Sequence, residues 1–291
     1  MIDLHVHTTA SDGQYSPAEI IKMAADLGMG TVAITDHDTY AGLEEGAAEA
    51  ARLGINFVPG IEMNINGSKG EFHLLGLGID KISSSLTAAV EALQKNRELR
   101  NEQMIAKMNA AGVDINIEEM RSAFPRTVLG RPHFAEMLVR KGVVRKRQQA
   151  FDKYLAKGKP WYCERVGTNL DEAIVAIRES NGIPVIAHPM SLYLSWGKLP
   201  AALQDIYDRG VMGLEAFHPG ARMTDCLRLE ECARKIGYFI TAASDFHGEK
   251  VRADRKLGRT CNNKVIDDKF WTEELGPTLA MARNQDNCDR R

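Results

Sequence analysis

Short apolar segments of strand length alternate along the chain with longer amphipathic segments of helix length, and this alternation constrains the fold more than any other feature. The apolar segments lie at 2–6, 31–35, 57–58, 61–65, 72–77, 184–187, 212–217 and 238–242. Most are separated by a stretch long enough for one helix, which is typical of chains whose helices cross over between neighbouring strands. The alternation predicts an α/β fold with a barrel-like parallel sheet.

The segment after the first strand carries a helix-start signal. Ser16 can serve as the N-cap, Pro17 suits the first helical position, and Glu19 completes a capping box. A helix is therefore predicted directly after the first strand. Further helices are expected over 40–53, 170–180, 199–208 and 224–236.

The alternation breaks between about residues 81 and 159, where the sequence is helical and rich in charge. Helices are predicted over 85–111, 132–141 and 147–157, the first of them ending at Gly112. We therefore divide the chain into a barrel, formed by 1–80 and 160–291, and a helical insertion or lid, formed by 81–159. A run of basic residues, which usually forms a solvated face, belongs to this region: Arg126, Arg131, Arg140, Lys141, Arg145, Lys146, Arg147, Lys153, Lys157 and Lys159.

Charge and composition argue against several classes of protein. The 37 basic and 39 acidic side chains leave a formal net charge of −2, so no overall positive field favours generic binding to nucleic acids or membranes. The five cysteines are odd in number and form no C-x-x-C pair, which favours a reducing compartment. Neither a signal-peptide pattern nor an apolar run of membrane-spanning length is present. We expect a cytoplasmic protein without membrane association or an obligate protein partner.

Eight histidines are present, and most have an acidic residue or a proline close by at a predicted strand end. Side chains two residues apart share one face of a strand, so His5 and His7 can point at one ion, and so can Asp245 and His247. Imidazole nitrogens and carboxylate oxygens suit Zn, Mn and Fe. Because α/β barrels assemble their sites at the carboxyl ends of strands, we expect a divalent metal site there.

Five short motifs together resemble the PHP (polymerase and histidinol phosphatase) family. They lie at 5–13 (HVHTTASDG), 35–38 (TDHD), 60–62 (GIE), 187–189 (AHP) and 244–247 (SDFH). The resemblance covers roughly residues 2–80 and 160–250, and it implies a distorted seven-stranded β/α barrel with a trinuclear metal site. The insertion, with 130–134 (GRPHF) and 153–159 (KYLAKGK), is similar to the branch of 3′,5′-nucleoside bisphosphate phosphatases, whose members are also described as ribonucleases that trim RNA from the 5′ end.

The resemblance also implies nine ligands for three divalent ions. They fall into three groups: His5, His7, Glu62 and Asp245 for the first ion; Glu62, His73 and His188 for the second; Asp12, His37 and His247 for the third. Glu62 is the expected bridge, since a carboxylate has two oxygens that can contact two cations. Asp12 followed by Gly13 also fits a plain Asx turn.

His218 is a further candidate, and with Glu62 and Asp245 it completes the expected catalytic set. It lies at a predicted strand end, so it is either a surface loop residue or a functional residue, namely a substrate contact or the leaving-group acid. The flanking carboxylates Asp36 and Asp38 are not assigned to metal and are expected to orient neighbouring groups.

Arg131 and His133 are expected to fold over the barrel mouth and hold substrate phosphate, with Pro132 stiffening their relative geometry. The insertion leaves the barrel after His73 and returns before His188, so its ends should lie near the site. The alternative is that Arg131 and His133 only cap and solvate a helix that starts at Pro132.

These features favour a metal-dependent phosphoesterase that hydrolyses phosphate esters of nucleotides by attack of a metal-activated hydroxide. The expected reaction is removal of the 3′-phosphate of a 3′,5′-nucleoside bisphosphate (pAp to AMP), with trimming of RNA 5′ ends as a further activity. No phosphate-binding P-loop and no G-x-S-x-G motif is present. The alternatives are a histidinol-phosphate or other small-molecule phosphatase, a non-catalytic metal-stabilised PHP module, and a nucleic-acid-binding protein without chemistry.

Overall fold

The computed structural model describes residues 1–67, 70–125 and 127–289, with side chains described as far as residue 284 in the last helix. Arg126, one of the basic residues noted above, lies outside this part of the chain. Within the described residues, one sheet contains seven strands: β1 Ile2–Val6, β2 Thr31–Ile34, β3 Asn56–Asn64, β4 His73–Leu77, β5 Ile183–Ile186, β6 Gly213–Phe217 and β7 Phe239–Ala242.

The strands follow one another around the sheet in chain order. A bridge between Val6 and Phe246 joins the segment after β7 to β1, so the sheet closes almost completely into a barrel. The predicted seven-stranded α/β barrel is confirmed. The expectation of a parallel sheet is wrong at β4, which runs antiparallel to both β3 and β5. The link between β3 and β4 spans only residues 65–72, too short for a crossover helix, so the chain reverses direction there.

The helices close to their predicted positions are α1 Pro17–Asp26, α2 Leu43–Leu53, α3 Ser84–Ala110, α5 Arg131–Arg140, α6 Arg147–Ala150, α7 Leu170–Glu179, α8 Leu199–Asp208 and α9 Met223–Ile236. The capping box of α1 is confirmed: Glu19 N donates to Ser16 Oγ at 3.2 Å, and Ser16 N donates to Glu19 Oε2 at 2.8 Å. After α6 the chain continues as one π-helical segment, Phe151–Leu155. Within the described residues, two α-helices were not predicted, α4 Ile117–Ala123 and α10 Gly276–Asp289, nor was the π-helical segment Phe270–Leu275 that leads into α10.

The apolar residues form separate clusters in the barrel and in the insertion. The barrel strands pack against α7, α8 and α9, with Leu75 and Ile177 among the buried residues. The second half of α3 and helices α4 to α6 have their own cluster around Phe134, which extends past the predicted boundary to Trp161 and Cys163. The first half of α3 instead joins the barrel cluster through Leu86, Val90 and Leu93. None of the described helices is long and apolar enough to cross a membrane.

The insertion also contacts the loops at the barrel mouth. Val128 N donates to Ala10 O at 3.2 Å, in the loop that follows β1. Arg147 Nη1 donates to Lys250 O at 3.0 Å, in the loop that follows β7. These bonds hold the helices against the end of the barrel where the predicted metal ligands lie.

Candidate metal centre

The nine predicted metal ligands converge at one end of the barrel. Most follow the carboxyl ends of parallel strands, as His37 follows β2 and His188 follows β5. His73 is the first residue of β4. Because β4 is reversed, its amino end lies beside the carboxyl ends of the other strands, and the reversal brings His73 to the same side of the barrel.

Glu62 lies at the centre of the cluster and contacts imidazoles with both oxygens. Its Oε1 is 2.8 Å from His73 Nδ1 and 3.0 Å from His188 Nε2. Its Oε2 is 2.8 Å from His37 Nδ1 and 3.2 Å from His7 Nε2. The carboxylate therefore faces two separate groups of nitrogen atoms, which is the arrangement expected of a bridging ligand.

A second group consists of His5, His7 and Asp245, whose ligand atoms all lie within 4.8 Å of one another. The Nε2 atoms of the two histidines are 3.0 Å apart. Asp245 Oδ1 lies 3.4 Å from His7 Nε2 and 3.7 Å from His5 Nε2. His5 near the end of β1 and His7 just after it, two residues apart, thus meet at one point, as the extended backbone predicts.

A third group brings together His7, Asp12, His37 and His247. Asp12 Oδ1 is 3.3 Å from His247 Nε2 and 3.8 Å from His7 Nδ1. The loop that carries Asp12 packs closely on β1, because a Cβ atom added at Gly13 would lie 2.4 Å from His7 O. Glycine at this position therefore allows the loop to turn back toward the cluster.

The structural groups differ in four memberships from those that the family resemblance implies: His7 and His37 each join a further group, Glu62 is missing from the group of His5 and Asp245, and His188 joins none of the three. His7 belongs to two groups, with Asp245 and with Asp12. His37 also groups with Glu62 and His73 in addition to Asp12. The division of nine residues among three ions thus remains a prediction, while the structure brings all nine residues into one cluster.

Two buried atoms at the centre of the cluster lack a hydrogen-bond partner, His37 Nδ1 and Glu62 Oε2. They lie 2.8 Å apart, but their orientation does not suit a hydrogen bond. Leaving such polar atoms buried and unpaired is costly, whereas a cation coordinated by both would satisfy them. The residues present therefore fit divalent metal ions.

Burial and mutual attraction set the charges of the cluster. Burial would raise the pKa of Glu62, but its interactions with the surrounding imidazoles, those of His37 and His73 first among them, hold it well below its ordinary value. Burial lowers the pKa of His7, yet its bonds to Asp245 and Glu62 outweigh this effect and raise the pKa to about 10. At His37 burial prevails and lowers the pKa to about 4. The carboxylates are thus ionised and draw positive charge into a buried site.

Glu215 is a functional candidate that the sequence analysis missed. Its Oε2 lies 2.8 Å from His5 Nδ1, and the side chain is fully buried on β6. A carboxylate bound to the far nitrogen of a ligand histidine fixes the orientation of the ring. The sequence did contain a signal that could have identified it, namely a glutamate inside the apolar segment Gly213–Phe217.

The flanking carboxylates anchor the loops of the site. Asp36 accepts hydrogen bonds from Thr8 N at 2.8 Å and from Ser11 Oγ at 2.5 Å. Asp38 accepts from Asn64 N at 2.9 Å and from Arg97 Nε at 2.6 Å. Both residues hold neighbouring segments of the site, in line with the orienting role expected for them.

The backbone at two of the predicted ligands is strained. His188 has a φ of 29° and Asp245 a φ of 52°, values that favour glycine. Residues keep such conformations where surrounding contacts impose them, and these cluster at functional sites.

His218 lies beside the cluster and contacts Asp245. Its Nδ1 accepts a hydrogen bond from Gly220 N at 3.0 Å, so the neutral ring carries its proton on Nε2, which is 3.2 Å from Asp245 Oδ2. The imidazole is buried, and burial lowers its pKa. This arrangement suits the orientation of Asp245, and His218 also lines a smaller cavity of about 240 Å³.

The structure separates the two insertion residues that were predicted to hold phosphate. Arg131 lines the main cavity, where its Nη2 donates to Glu71 Oε1 at 2.8 Å. His133 does not line that cavity, because its Nδ1 accepts a hydrogen bond from Gly130 N at 2.9 Å and caps the start of α5. His133 thus lies where the capping alternative places it, whereas Arg131 lies at the wall of the cavity.

A cavity of about 880 Å³ opens over the ligand cluster, and we call it the central cavity. Predicted ligands such as Asp12, Glu62 and His188 line one part of it. Elsewhere the lining is rich in basic side chains from both the insertion and the barrel loops, and these outnumber the acidic Glu71, Glu249 and Asp254: Arg131, Lys146, Arg147, Arg165, Lys250 and Arg252. An anion in this cavity would contact the cluster and positive side chains at the same time.

Known proteins are similar to this chain in both sequence and fold. The PHP domain family matches residues 3–156. The chain is 33% identical over 273 residues to a 3′,5′-nucleoside bisphosphate phosphatase from Chromobacterium violaceum, a match that covers 94% of this chain and 95% of the relative. The chain belongs to the PHP domain family.

Two further relatives of this PHP protein extend the comparison. A 5′-3′ exoribonuclease from Haemophilus influenzae is 31% identical over 245 residues, which cover 84% of this chain and 89% of the relative. A solved structure from Bifidobacterium adolescentis, assigned as a metal-dependent phosphoesterase, has a TM-score of 0.83 at 27% identity and covers 94% of this chain and 95% of that one. The family resemblance read from the five motifs is confirmed.

Proposed function

We propose that this PHP protein is a metal-dependent phosphoesterase that removes the 3′-phosphate of 3′,5′-nucleoside bisphosphates and also trims RNA from the 5′ end. One observation carries the proposal: a buried cluster of carboxylates and imidazoles around Glu62 opens into a cavity lined with arginine and lysine. Such ligands suit divalent ions, and the basic side chains suit phosphate oxygens. The activities named for the two curated relatives are phosphoester hydrolyses of this kind.

We propose three divalent ions, of Mn, Fe or Zn, with the nine predicted residues as ligands. The two-sided contacts of Glu62 support its role as the bridge between ions. When bound, the ions would stabilise charge on the phosphoryl oxygens and lower the pKa of water that attacks phosphorus. Glu215 and His218 would keep His5 and Asp245 in their ligating orientations.

The basic side chains that line the central cavity would have a separate role, which is to bind the substrate. Arg131, Lys146 and Arg147 belong to the insertion and face the same cavity as the ligand cluster. They would hold the phosphate and exclude bulk water while the cluster acts on the ester bond. The substrate partner is thus a nucleotide or the 5′ end of a short RNA.

The test is a panel of substrates with purified full-length protein, first treated with a chelator and then supplied with Mn²⁺. The panel contains pAp, AMP, histidinol phosphate and a 5′-phosphorylated oligoribonucleotide, with products identified by chromatography. We expect no turnover without metal and, after Mn²⁺ is added, fast conversion of pAp to AMP and release of nucleotides from the RNA 5′ end.

Each other outcome favours a named alternative. Full activity of the metal-free protein would overturn the metal-dependent mechanism. Preference for histidinol phosphate would identify a small-molecule phosphatase. Stoichiometric metal without turnover of any substrate would identify a non-catalytic PHP module, and tight RNA binding without products would identify a nucleic-acid-binding protein.

A further inference from the structure

The central cavity shares part of its wall with the smaller cavity beside His218, which has a volume of about 240 Å³ and which we call the side cavity. The predicted ligands His188 and Asp245 line both cavities, as do Glu71 and Arg252. The described residues that line the side cavity all belong to the barrel and none to the insertion. A molecule bound at the ligand cluster can therefore extend into either cavity.

The two substrates of the proposed function differ at the scissile phosphorus. In pAp the 3′-phosphate is a monoester, and its phosphorus carries one nucleoside. In RNA the same phosphorus carries the first nucleoside on one ester oxygen and the rest of the chain on another. Because the four oxygens of a phosphate point toward the corners of a tetrahedron, the two ester groups diverge. A monoester at the cluster thus needs room on one side, and RNA needs room on two.

Arg255 lies in the wall of the side cavity, with 4% of its surface exposed. Its Nε and Nη1 atoms have no hydrogen-bond partner in the part of the chain that the structure describes. Nε lies 3.6 Å from Asp254 Oδ2, but the Asp254 side chain is 63% exposed, so solvent weakens this pair. Burying an arginine without closer partners is costly. The unpaired N–H groups indicate that an acceptor binds in this cavity.

Arg252 adds a second positive charge to the same cavity. Its Nε donates to Asp254 Oδ1 at 3.4 Å, so Arg252 and Arg255 share one carboxylate. The loop that follows His218 packs closely on Arg255, since a Cβ atom added at Gly220 would lie 3.2 Å from Arg255 Nη2. The two guanidinium groups and one carboxylate leave a surplus of one positive charge, which matches the single negative charge of a phosphodiester.

The other carboxylates that line the side cavity have partners outside the pair of arginines. Glu215 Oε2 lies 2.8 Å from His5 Nδ1, and Glu71 Oε1 accepts a hydrogen bond from Arg131 at 2.8 Å. Asp245 is a predicted metal ligand. These three carboxylates are therefore engaged by the cluster and by the insertion, and the surplus charge of the side cavity remains.

Tyr193 lies at the rim of the side cavity, and 76% of its surface is exposed. Its φ of 51° is one that a bulky residue rarely adopts. It follows the short 3-10 helical segment Pro189–Leu192, which begins directly after the predicted ligand His188. Met190 and Leu229 add apolar surface to the lining. An exposed aromatic ring beside positive side chains is typical of a surface on which nucleic-acid bases stack.

We propose that the side cavity is the subsite for the nucleotide that follows the scissile phosphate in RNA. The proposal rests on the proposed function and deepens it, because it identifies the part of the protein that RNA uses and pAp does not. The base of this nucleotide stacks on Tyr193, and Arg255 binds the phosphodiester that comes after it. The first nucleotide, which is released, occupies the central cavity.

This arrangement accounts for repeated cleavage from one end. Water adds its oxygen to phosphorus, the bond between phosphorus and O3′ of the first nucleotide breaks, and O3′ receives a proton. The phosphate stays on the downstream nucleotide, so the shortened RNA again carries a 5′-phosphate. It is then a substrate for the next cleavage.

The test compares three substrates of the Mn²⁺-loaded full chain, pAp, pApU and pApUpU. They share the first nucleotide and the scissile phosphorus, and each releases AMP, which is measured by chromatography at early times. Tyr193→Leu should lower kcat/KM for pApU and pApUpU by about 10-fold, the value of one base stacked on an aromatic ring. The loss for pAp should be two-fold at most. Tyr193→Phe keeps the ring and should recover most of the activity on pApU.

Arg255→Met should act one nucleotide further along the chain. It should lower kcat/KM for pApUpU by about 10-fold, the value of a hydrogen bond to a charged group, and affect pApU and pAp much less. Arg222→Met is the matched control for this loop, because Arg222 is 86% exposed and pairs with Asp225. If Arg255→Met does not fold, Arg255→Lys serves, since it keeps the charge and loses the planar fork.

The outcomes separate this subsite from the proposed function. Equal losses for all three substrates, no loss for any, or a loss confined to pAp would overturn the subsite and leave the proposed function intact. Absence of turnover of all three by the wild type would overturn the proposed function. Fluorescence anisotropy with pApUpU labelled at its 3′ end would then decide the subsite: weaker binding to Tyr193→Leu and Arg255→Met would support it, and unchanged binding would overturn it.

Discussion

The two walls of the central cavity are built in different ways. On the barrel side, predicted ligands such as His5 and Glu62 extend from strands, are almost fully buried, and lie close together, with His5 Nε2 3.5 Å from Glu62 Oε2. On the insertion side, Arg131 extends from a helix with its own apolar cluster, and its side chain remains 22% exposed. Rigid strands suit groups that must hold ions at fixed distances, whereas the helical wall suits groups that adapt to a substrate. We therefore expect changes on the barrel side to affect chemistry and changes on the insertion side to affect selectivity.

The largest expected effect is that of Glu62→Gln on the barrel side. An amide lacks the charge and the two equivalent oxygens that a bridge between cations requires, so turnover should fall by about 1,000-fold or more. Metal analysis should show a reduced content as well. The exposed Glu44→Gln on α2 is the matched control. Near-normal activity and metal content in Glu62→Gln would disprove the bridging role.

On the insertion side, Phe134→Ala tests whether the two walls are independent. Phe134 is fully buried in the insertion cluster, so its loss should lower the free energy of unfolding of the insertion by about 3–5 kcal/mol. Urea unfolding followed by fluorescence would detect the change, since Trp161 belongs to that cluster. Metal content should remain normal, and Phe134→Leu should have a smaller effect. Loss of metal together with the insertion would mean that the two walls form one cooperative unit.

A finer test within the barrel side compares Asp245→Asn with His247→Ala. The two residues are neighbours in sequence but join different groups, Asp245 with His5 and His247 with Asp12. Each variant should lose a different ion and about 100-fold in turnover. Metal analysis after titration with Mn²⁺ would distinguish the sites. Identical loss of all ions from both variants would contradict separate positions.

The smallest expected effect is that of Arg131→Ala. Arg131 pairs with Glu71 at the cavity wall and lies away from the ligand atoms, so metal content should be unchanged. Hydrolysis of a 3′,5′-bisphosphate should fall by about 10-fold, while an aryl phosphate, which lacks a second phosphate, should be hydrolysed normally. Equal losses with both substrates would mean that Arg131 acts in catalysis or in folding.

Much of the barrel could be predicted because its signals are local. A strand alternates faces every second residue and a helix start depends on a few neighbouring side chains, so β1 and α1 follow from residues that are adjacent in sequence. The ligand motifs are local for the same reason, since His5 and His7 share one strand face. The reversal of β4 was missed because an apolar strand has the same pattern in either direction.

The sequence by itself determined the order of strands and helices and which residues could ligate metal. The tertiary structure alone decided which of these side chains meet: Glu215 reaches His5 across 210 positions, and Arg165 reaches His73 across 92. It also separated Arg131, which lines the cavity, from His133, which caps α5. The physical reason is the sequence separation over which each effect acts. Periodicity and capping act between neighbours along the chain, whereas burial and electrostatic pairing depend on where distant segments pack.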